Sequence, residues 1–139
     1  MQRREFIRLS LVTGAAGILL PRQALADGHE ASMAGGVYYT KDAPGRWDQK
    51  VAGHLPVLET DTTKGLVRIT TGHEMKGYEH YIVKHTLLNS NFEFVSEKVF
   101  NPEKEMAPIS EHSLEGLTGT VYALSMCNLH DVWLNSIEV

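Results

Sequence analysis

Leu117–Met126 (LTGTVYALSM) and Val132–Val139 (VWLNSIEV), joined through Cys127-Asn128-Leu129-His130, are the stretch whose reading decides the fold. Both runs are rich in β-branched and aromatic residues and too short for an ordinary helix, so each predicts a strand. The same pattern recurs upstream. Leu66–Thr70 follows the turn at Lys64-Gly65, His80–Leu88 is long and apolar, and Phe92–Phe100 alternates apolar and polar positions. Val37-Tyr38-Tyr39 is a further short apolar run, and Val51–Leu58, with Pro56 inside it, reads as an edge or irregular strand. Asn101–Gly116, with Pro102 and Pro108, reads as a long connection. About seven short strands and no convincing helix predict an all-β protein, an antiparallel sandwich. No internal repeat is present.

The N-terminus carries a different signal. Met1-Gln2-Arg3-Arg4-Glu5-Phe6-Ile7-Arg8 precedes an apolar run, Leu9–Leu20, too short to span a bilayer, and Ala24-Leu25-Ala26 supplies a small-residue cleavage pattern. Residues 1–26 thus resemble a twin-arginine signal peptide, which implies export of a folded protein to the periplasm, a route often taken by proteins that carry a cofactor already inserted. An uncut membrane anchor is the competing reading, and the pattern before Asp27 favours cleavage. Residues 27–36, rich in Gly, Ala and Ser, read as a flexible leader, and residues 37–139 as the functional domain. Cleavage would leave about 113 residues, enough for one small core. It would remove four of the 13 Lys+Arg and one of the 17 Asp+Glu, taking the formal charge from −4 to about −7. That balance argues against nucleic acid and against an anionic membrane surface as partners.

Cys127 is the only cysteine, so no intramolecular disulfide can form. His130 stands three residues on. His54, His73 and His80 lie at or beside the ends of predicted strands, where the loops at one end of a sandwich can converge. Four imidazoles and a thiolate overfill a tetrahedral zinc site. Two His and one Cys would suit blue copper, as in a cupredoxin-like electron-transfer protein, but no Met follows His130 to serve as its axial ligand. Five N/S donors with one position open suit a six-coordinate iron that binds a small ligand. Taken singly the residues have plainer readings: a buried thiol for Cys127, a turn residue for His54, exposed loop residues for His73 and His80. His85, at an odd offset from His80, falls on the opposite strand face and reads as structural or surface. His29 and His112 read as solvated. Tyr38, Tyr39, Tyr122 and Trp47 read as packing residues, and Trp133 as a shield for the site or as core.

Three segments carry a family resemblance: His54-Leu55-Pro56-Val57, His73-Glu74-Met75 through His80-Tyr81-Ile82, and Cys127-Asn128-Leu129-His130-Asp131-Val132-Trp133. From about Val51 to the C-terminus the chain resembles the superoxide reductases, the iron domain of desulfoferrodoxin and neelaredoxin, in its one-iron form. The resemblance implies an immunoglobulin-like β-sandwich. It implies a mononuclear non-haem iron, Fe2+/Fe3+, with His54, His73, His80 and His130 as equatorial ligands and Cys127 as axial thiolate. Cys127 and His130 belong to the catalytic motif. It further implies one-electron reduction of superoxide to hydrogen peroxide, an external one-electron donor protein, and assembly into homo-oligomers. Family members commonly carry Glu-Lys before the first His, where this chain has Ala52-Gly53. Lys50, Lys76 and Lys84 are the candidates for the missing positive charge. The loop from His73 to His80 is one residue longer than usual around Gly77-Tyr78. These departures keep a third reading open, an iron-binding accessory or redox-sensing protein without reductase activity.

Overall fold

The computed structural model describes residues 33–139; the twin-arginine segment, the leader up to residue 32 and His29 lie outside them. Seven strands run β1 (Pro56–Asp61), β2 (Leu66–Thr71), β3 (Ile82–Leu88), β4 (Phe94–Val99), β5 (Ile109–Ser113), β6 (Thr120–Cys127) and β7 (Asp131–Glu138). They form two antiparallel sheets, ordered β1-β2-β5 and β4-β3-β6-β7. This is the immunoglobulin-like sandwich expected from the sequence.

The inward faces follow from period-two patterning. β6 alternates buried and half-buried residues along its whole length, with Val121, Ala123, Ser125 and Cys127 inward. Val121 and Ala123 meet Leu58, Val67, Ile69 and Leu87 in the main core. A second apolar cluster, Ile82, Phe100 and Cys127 with Met75 against it, sits at one end of the sandwich. Among the described residues no helix is long and apolar enough to cross a membrane.

Three expectations are corrected. Val51–Leu58 is not one strand: Val51–His54 is a single α-helical turn (α1), preceded by a 3-10 turn over Gly45–Lys50, and β1 begins at Pro56. Proline drives its predecessor out of the helical region, and Leu55 is accordingly extended at φ −66°, ψ 123°. Asn101–Gly116 is not a featureless connection, because it contains β5. The inward residues of β5 are Ser110 and His112, so an apolar alternation could not reveal it. For the same reason His112 is not solvated; it is buried. His85 proves structural, with no exposed surface.

Topology gathers the ends that matter. Pro56 at the start of β1 pairs with Thr71 at the end of β2. Ile82 at the start of β3 pairs with Cys127 at the end of β6, and Cys127 pairs with Asp131 at the start of β7. Antiparallel connection thus brings the segments before β1 and β3, and those after β2 and β6, to one end.

Candidate metal centre

Each donor arrives from one of those gathered ends. His54 closes α1 just before β1. The helical turn presents Lys50 O to His54 Nδ1 at 2.9 Å. A carbonyl only accepts, so Nδ1 carries the proton and Nε2 is left with its lone pair. His73 follows β2, and its Nδ1–H donates to Glu74 O, which again frees Nε2. His80 precedes β3, with its Nε2 toward the same point. Cys127 ends β6, and His130 lies in the turn into β7. That turn closes through Asp131 at φ 62°, a left-handed conformation that Asp tolerates better than most residues.

The donor atoms converge. Those of His54, His73, His80 and Cys127 lie within 4.8 Å of one another. His130 joins through Nδ1, 3.1 Å from His54 Nε2, 3.2 Å from His80 Nε2 and 3.5 Å from Cys127 Sγ. His73 Nε2 is 3.0 Å from His80 Nε2 and 3.9 Å from Sγ. Three successive edges of a four-nitrogen ring are therefore 3.1, 3.2 and 3.0 Å. A square of that edge has its centre about 2.2 Å from each nitrogen, close to a metal–imidazole bond length. Lone pairs on His54 and His73 aimed at one point repel unless a cation lies between them. The donor set thus fits a single metal ion, and five donors exceed what a blue copper centre uses.

The electrostatics keep these donors ready. Burial holds His54 down to about 4 from 6.5 and lowers His73 and His130 as well, so all three rings are neutral at pH 7. Burial raises the Cys127 thiol, while the backbone amides of Leu129 and His130 point at sulfur and partly offset that. These amides, rather than the Asn128 side chain, address the sulfur. Asn128 instead holds the neighbouring loop: its Oδ1 accepts from Tyr81 N–H at 2.9 Å and its Nδ2 donates to Glu79 O at 3.0 Å. Sulfur is packed with Ile82, Phe100 and Met75, whereas His73, His80 and His130 remain partly exposed. One side of the cluster is dry and the other meets solvent.

All five sequence-predicted donors are brought together, and residues that sequence reasoning did not connect to them join in. Trp47 stands edge-on to His130 with ring centroids 4.8 Å apart and donates Nε1–H to Asp131 Oδ2 at 2.8 Å. Arg46 bonds the same oxygen at 2.7 Å and lies over the Trp47 ring. No local signal marks these partners, since more than eighty positions separate them. Trp133 is core and shield at once: fully buried, it donates Nε1–H to His130 O at 2.9 Å and lies beside the His54 ring. Of the three candidate lysines, Lys76 pairs with Glu74 and Lys84 with Glu97. Lys50 is in none of the ion pairs among the described residues, and its charge acts on both Cys127 and His130.

The sandwich is shared with solved structures. It is similar to the neelaredoxin superoxide reductase of Ignicoccus hospitalis (TM-score 0.57, 23% identity, 74% of this chain and 94% of that one). It is similar to the one-iron superoxide reductase of Giardia intestinalis (TM-score 0.53, 22% identity, 63% and 98%). The superoxide reductase of Nanoarchaeum equitans gives a TM-score of 0.50 at 23% identity, over 63% and 94%. At these identities the likeness establishes the fold. No curated protein matches the chain in sequence. Residues 46–136, about two thirds of the chain and including every donor of the cluster, match the family model described as desulfoferrodoxin, and the chain belongs to that family.

Proposed function

We propose that the protein is a periplasmic non-haem iron superoxide reductase. It takes superoxide, one electron and two protons to hydrogen peroxide at an iron held by His54, His73, His80, His130 and Cys127. The observation that carries this reading is the ring of four imidazole nitrogens with the Cys127 sulfur on one side. The family's cofactor is a mononuclear non-haem iron, and the donor set suits it. When bound, the iron supplies the electron and cycles between Fe2+ and Fe3+.

The chain's own part is binding, shielding and charge. His54 and His73 keep their rings oriented by donating Nδ1–H to backbone carbonyls. Ile82, Phe100 and Met75 keep water from the sulfur, so donation from the thiolate is not damped by solvent. The half-exposed His73, His80 and His130 edges leave the opposite side for a small anion. Lys50, one helical turn before His54, replaces the family's missing lysine as the cation that draws superoxide toward an otherwise acidic protein. An external one-electron donor protein restores the ferrous state after each turnover.

Stopped mixing of the reduced, iron-loaded protein with superoxide tests the activity. Fast oxidation with peroxide formed and no oxygen evolved is expected. Slow or absent oxidation with iron bound would leave an accessory or sensing role. Copper with a strong blue band and no iron would sink the iron reading. A Lys50→Ala variant should react several-fold more slowly, and its rate should depend less on ionic strength. Cell fractionation of the full chain, with Arg3 and Arg4 changed to Lys, tests the periplasmic assignment: the variant should stay in the cytoplasm.

A further inference from the structure

Beneath the metal centre, one chain of hydrogen bonds crosses the interior of the sandwich from sheet to sheet. Ser125 Oγ meets Thr71 Oγ1 at 2.8 Å, and Thr71 Oγ1 meets His85 Nε2 at 2.8 Å. His85 Nδ1 meets Ser110 Oγ at 2.8 Å, Ser110 Oγ meets His112 Nε2 at 2.9 Å, and His112 Nδ1 meets Ser96 Oγ at 2.8 Å. Thr71, His85 and Ser125 are at most 1% exposed. With both rings neutral, the chain can run in one direction, with Thr71, His85, Ser110 and His112 each donating once and accepting once between the terminal hydroxyls of Ser125 and Ser96. No buried side-chain polar atom among the described residues is left without a partner.

We propose that the Thr71 hydroxyl, with His85 and Ser125, is a positioning device for the iron site. This rests on the iron reading above. Thr71 lies two residues before His73, and Ser125 lies two residues before Cys127 on the same strand face. His85 belongs to β3, the strand that His80 leads into. One hydroxyl therefore ties together the three strands that deliver three of the five donors. It does so across the sheet boundary, since β2 belongs to one sheet and β3 and β6 to the other. The Thr71 backbone is fixed as well: its N–H donates to Pro108 O at 3.1 Å and its C=O accepts from His73 N–H at 2.8 Å.

Stability alone gives little reason for this arrangement. Apolar residues of the same shape would leave a core of similar stability, because the net gain from a buried hydrogen bond is small. What they would lack is direction. Apolar contact between two sheets tolerates a small slide, whereas a hydroxyl with two fixed partners does not. A five-donor site drawn from both sheets is sensitive to that slide, and supporting residues of this kind typically change metal affinity about 10–100-fold.

The test uses the iron-loaded full chain. Thr71→Val keeps the shape and removes the shared hydroxyl. Release of iron to excess chelator should accelerate about 10–100-fold, and the thiolate-to-iron charge-transfer band of the oxidised protein should shift or broaden. Thr71→Ser, which restores the hydroxyl, should recover both. Ser96→Ala, at the far end of the same hydrogen-bond chain, should leave both as in the wild type. Wild-type release and an unshifted band in Thr71→Val would overturn the proposal, and so would equal acceleration in Ser96→Ala. If Thr71→Val does not fold, Ser125→Ala is read against the same outcomes. A wild-type protein without iron, or without a thiolate band, overturns the iron reading itself and this proposal with it; a normal wild type with unaffected variants overturns the positioning role alone.

Discussion

Acid should destabilise the metal-free domain well above the pH at which carboxylates protonate, and His85 should carry a large part of the effect. Its ring is fully buried between the sheets, and burial holds it down to about 3, with the like charge of a protonated His112 acting in the same direction. The groups that face it are Thr71 from β2, Ser110 and His112 from β5 and Ser125 from β6, with the Phe100 ring edge-on at 4.9 Å. Lys98 lies beyond Phe100, and no carboxylate is among these neighbours. In the unfolded chain the same ring titrates at its ordinary value, near 6.5. Between these values the unfolded state binds a proton that the folded state refuses. The contribution to stability is therefore complete above pH 6.5 and is lost as pH falls toward 3. From the two values the loss is about 2 kcal/mol at pH 5 and about 3 kcal/mol at pH 4. Against a total of roughly 5–15 kcal/mol for a domain, that is large. Urea unfolding of the metal-free protein at constant ionic strength, from pH 7.5 to 4.5, reads it directly. His85→Gln starts from a lower stability but lacks the titrating ring, so its stability should fall by about 2 kcal/mol less between pH 7.5 and 5. Parallel curves for wild type and variant would refute the reasoning.

Other outcomes concern the site itself. Cys127→Ser should fold and lose the thiolate-to-iron absorption of the oxidised protein, as visible spectroscopy will show. Asn128→Ala removes the bonds to Tyr81 N and Glu79 O that hold the loop around His80, and chelator competition should find iron affinity lowered about 10-fold. Because burial keeps the Cys127 thiol protonated at pH 7, uptake of ferrous iron should release about one proton per chain, readable with a pH indicator in weakly buffered solution. The same competition should make iron binding weaken as pH falls.

What the sequence reveals depends on whether a feature is local. β6 is readable because Val121, Ala123 and Cys127 face inward at alternate positions, with Ser125 the polar exception, and β7 because β-branched and aromatic residues are dense in it; the three histidine-bearing segments are readable because spacing within each is short. The sandwich follows from strand count and turn placement. β5 is hidden because its inward positions, Ser110 and His112, are polar and are satisfied by each other and by His85 and Ser96 from the other sheet. The same pairing buries His112, although its sequence neighbours are polar. The turn at Val51–His54 was hidden because its residues carry no helical period, and only Pro56, by forcing Leu55 extended, marks where it ends. Trp47 and Arg46 reach Asp131 from across the fold, and nothing near either in sequence announces it.

The placement of Lys50 shows how a departure from family pattern can be absorbed by local geometry. The chain has Ala52-Gly53 where a charged pair is common, so no cation stands next to His54 in sequence. The segment is helical, however, and a helix makes positions i and i+4 neighbours. Lys50 and His54 have that spacing, and the Lys50 carbonyl is the acceptor that orients the His54 ring. One residue therefore sets the tautomer of a proposed ligand with its backbone and places a positive side chain within reach of Cys127 and His130. A substitution at Lys50 that keeps the helical turn changes only the second function. Lys50→Gln should leave iron affinity near the wild-type value while slowing the reaction with superoxide. If iron affinity falls as much as the reaction rate, the side-chain charge and the ring orientation are not separable, and Lys50 is part of the scaffold rather than the anion's guide.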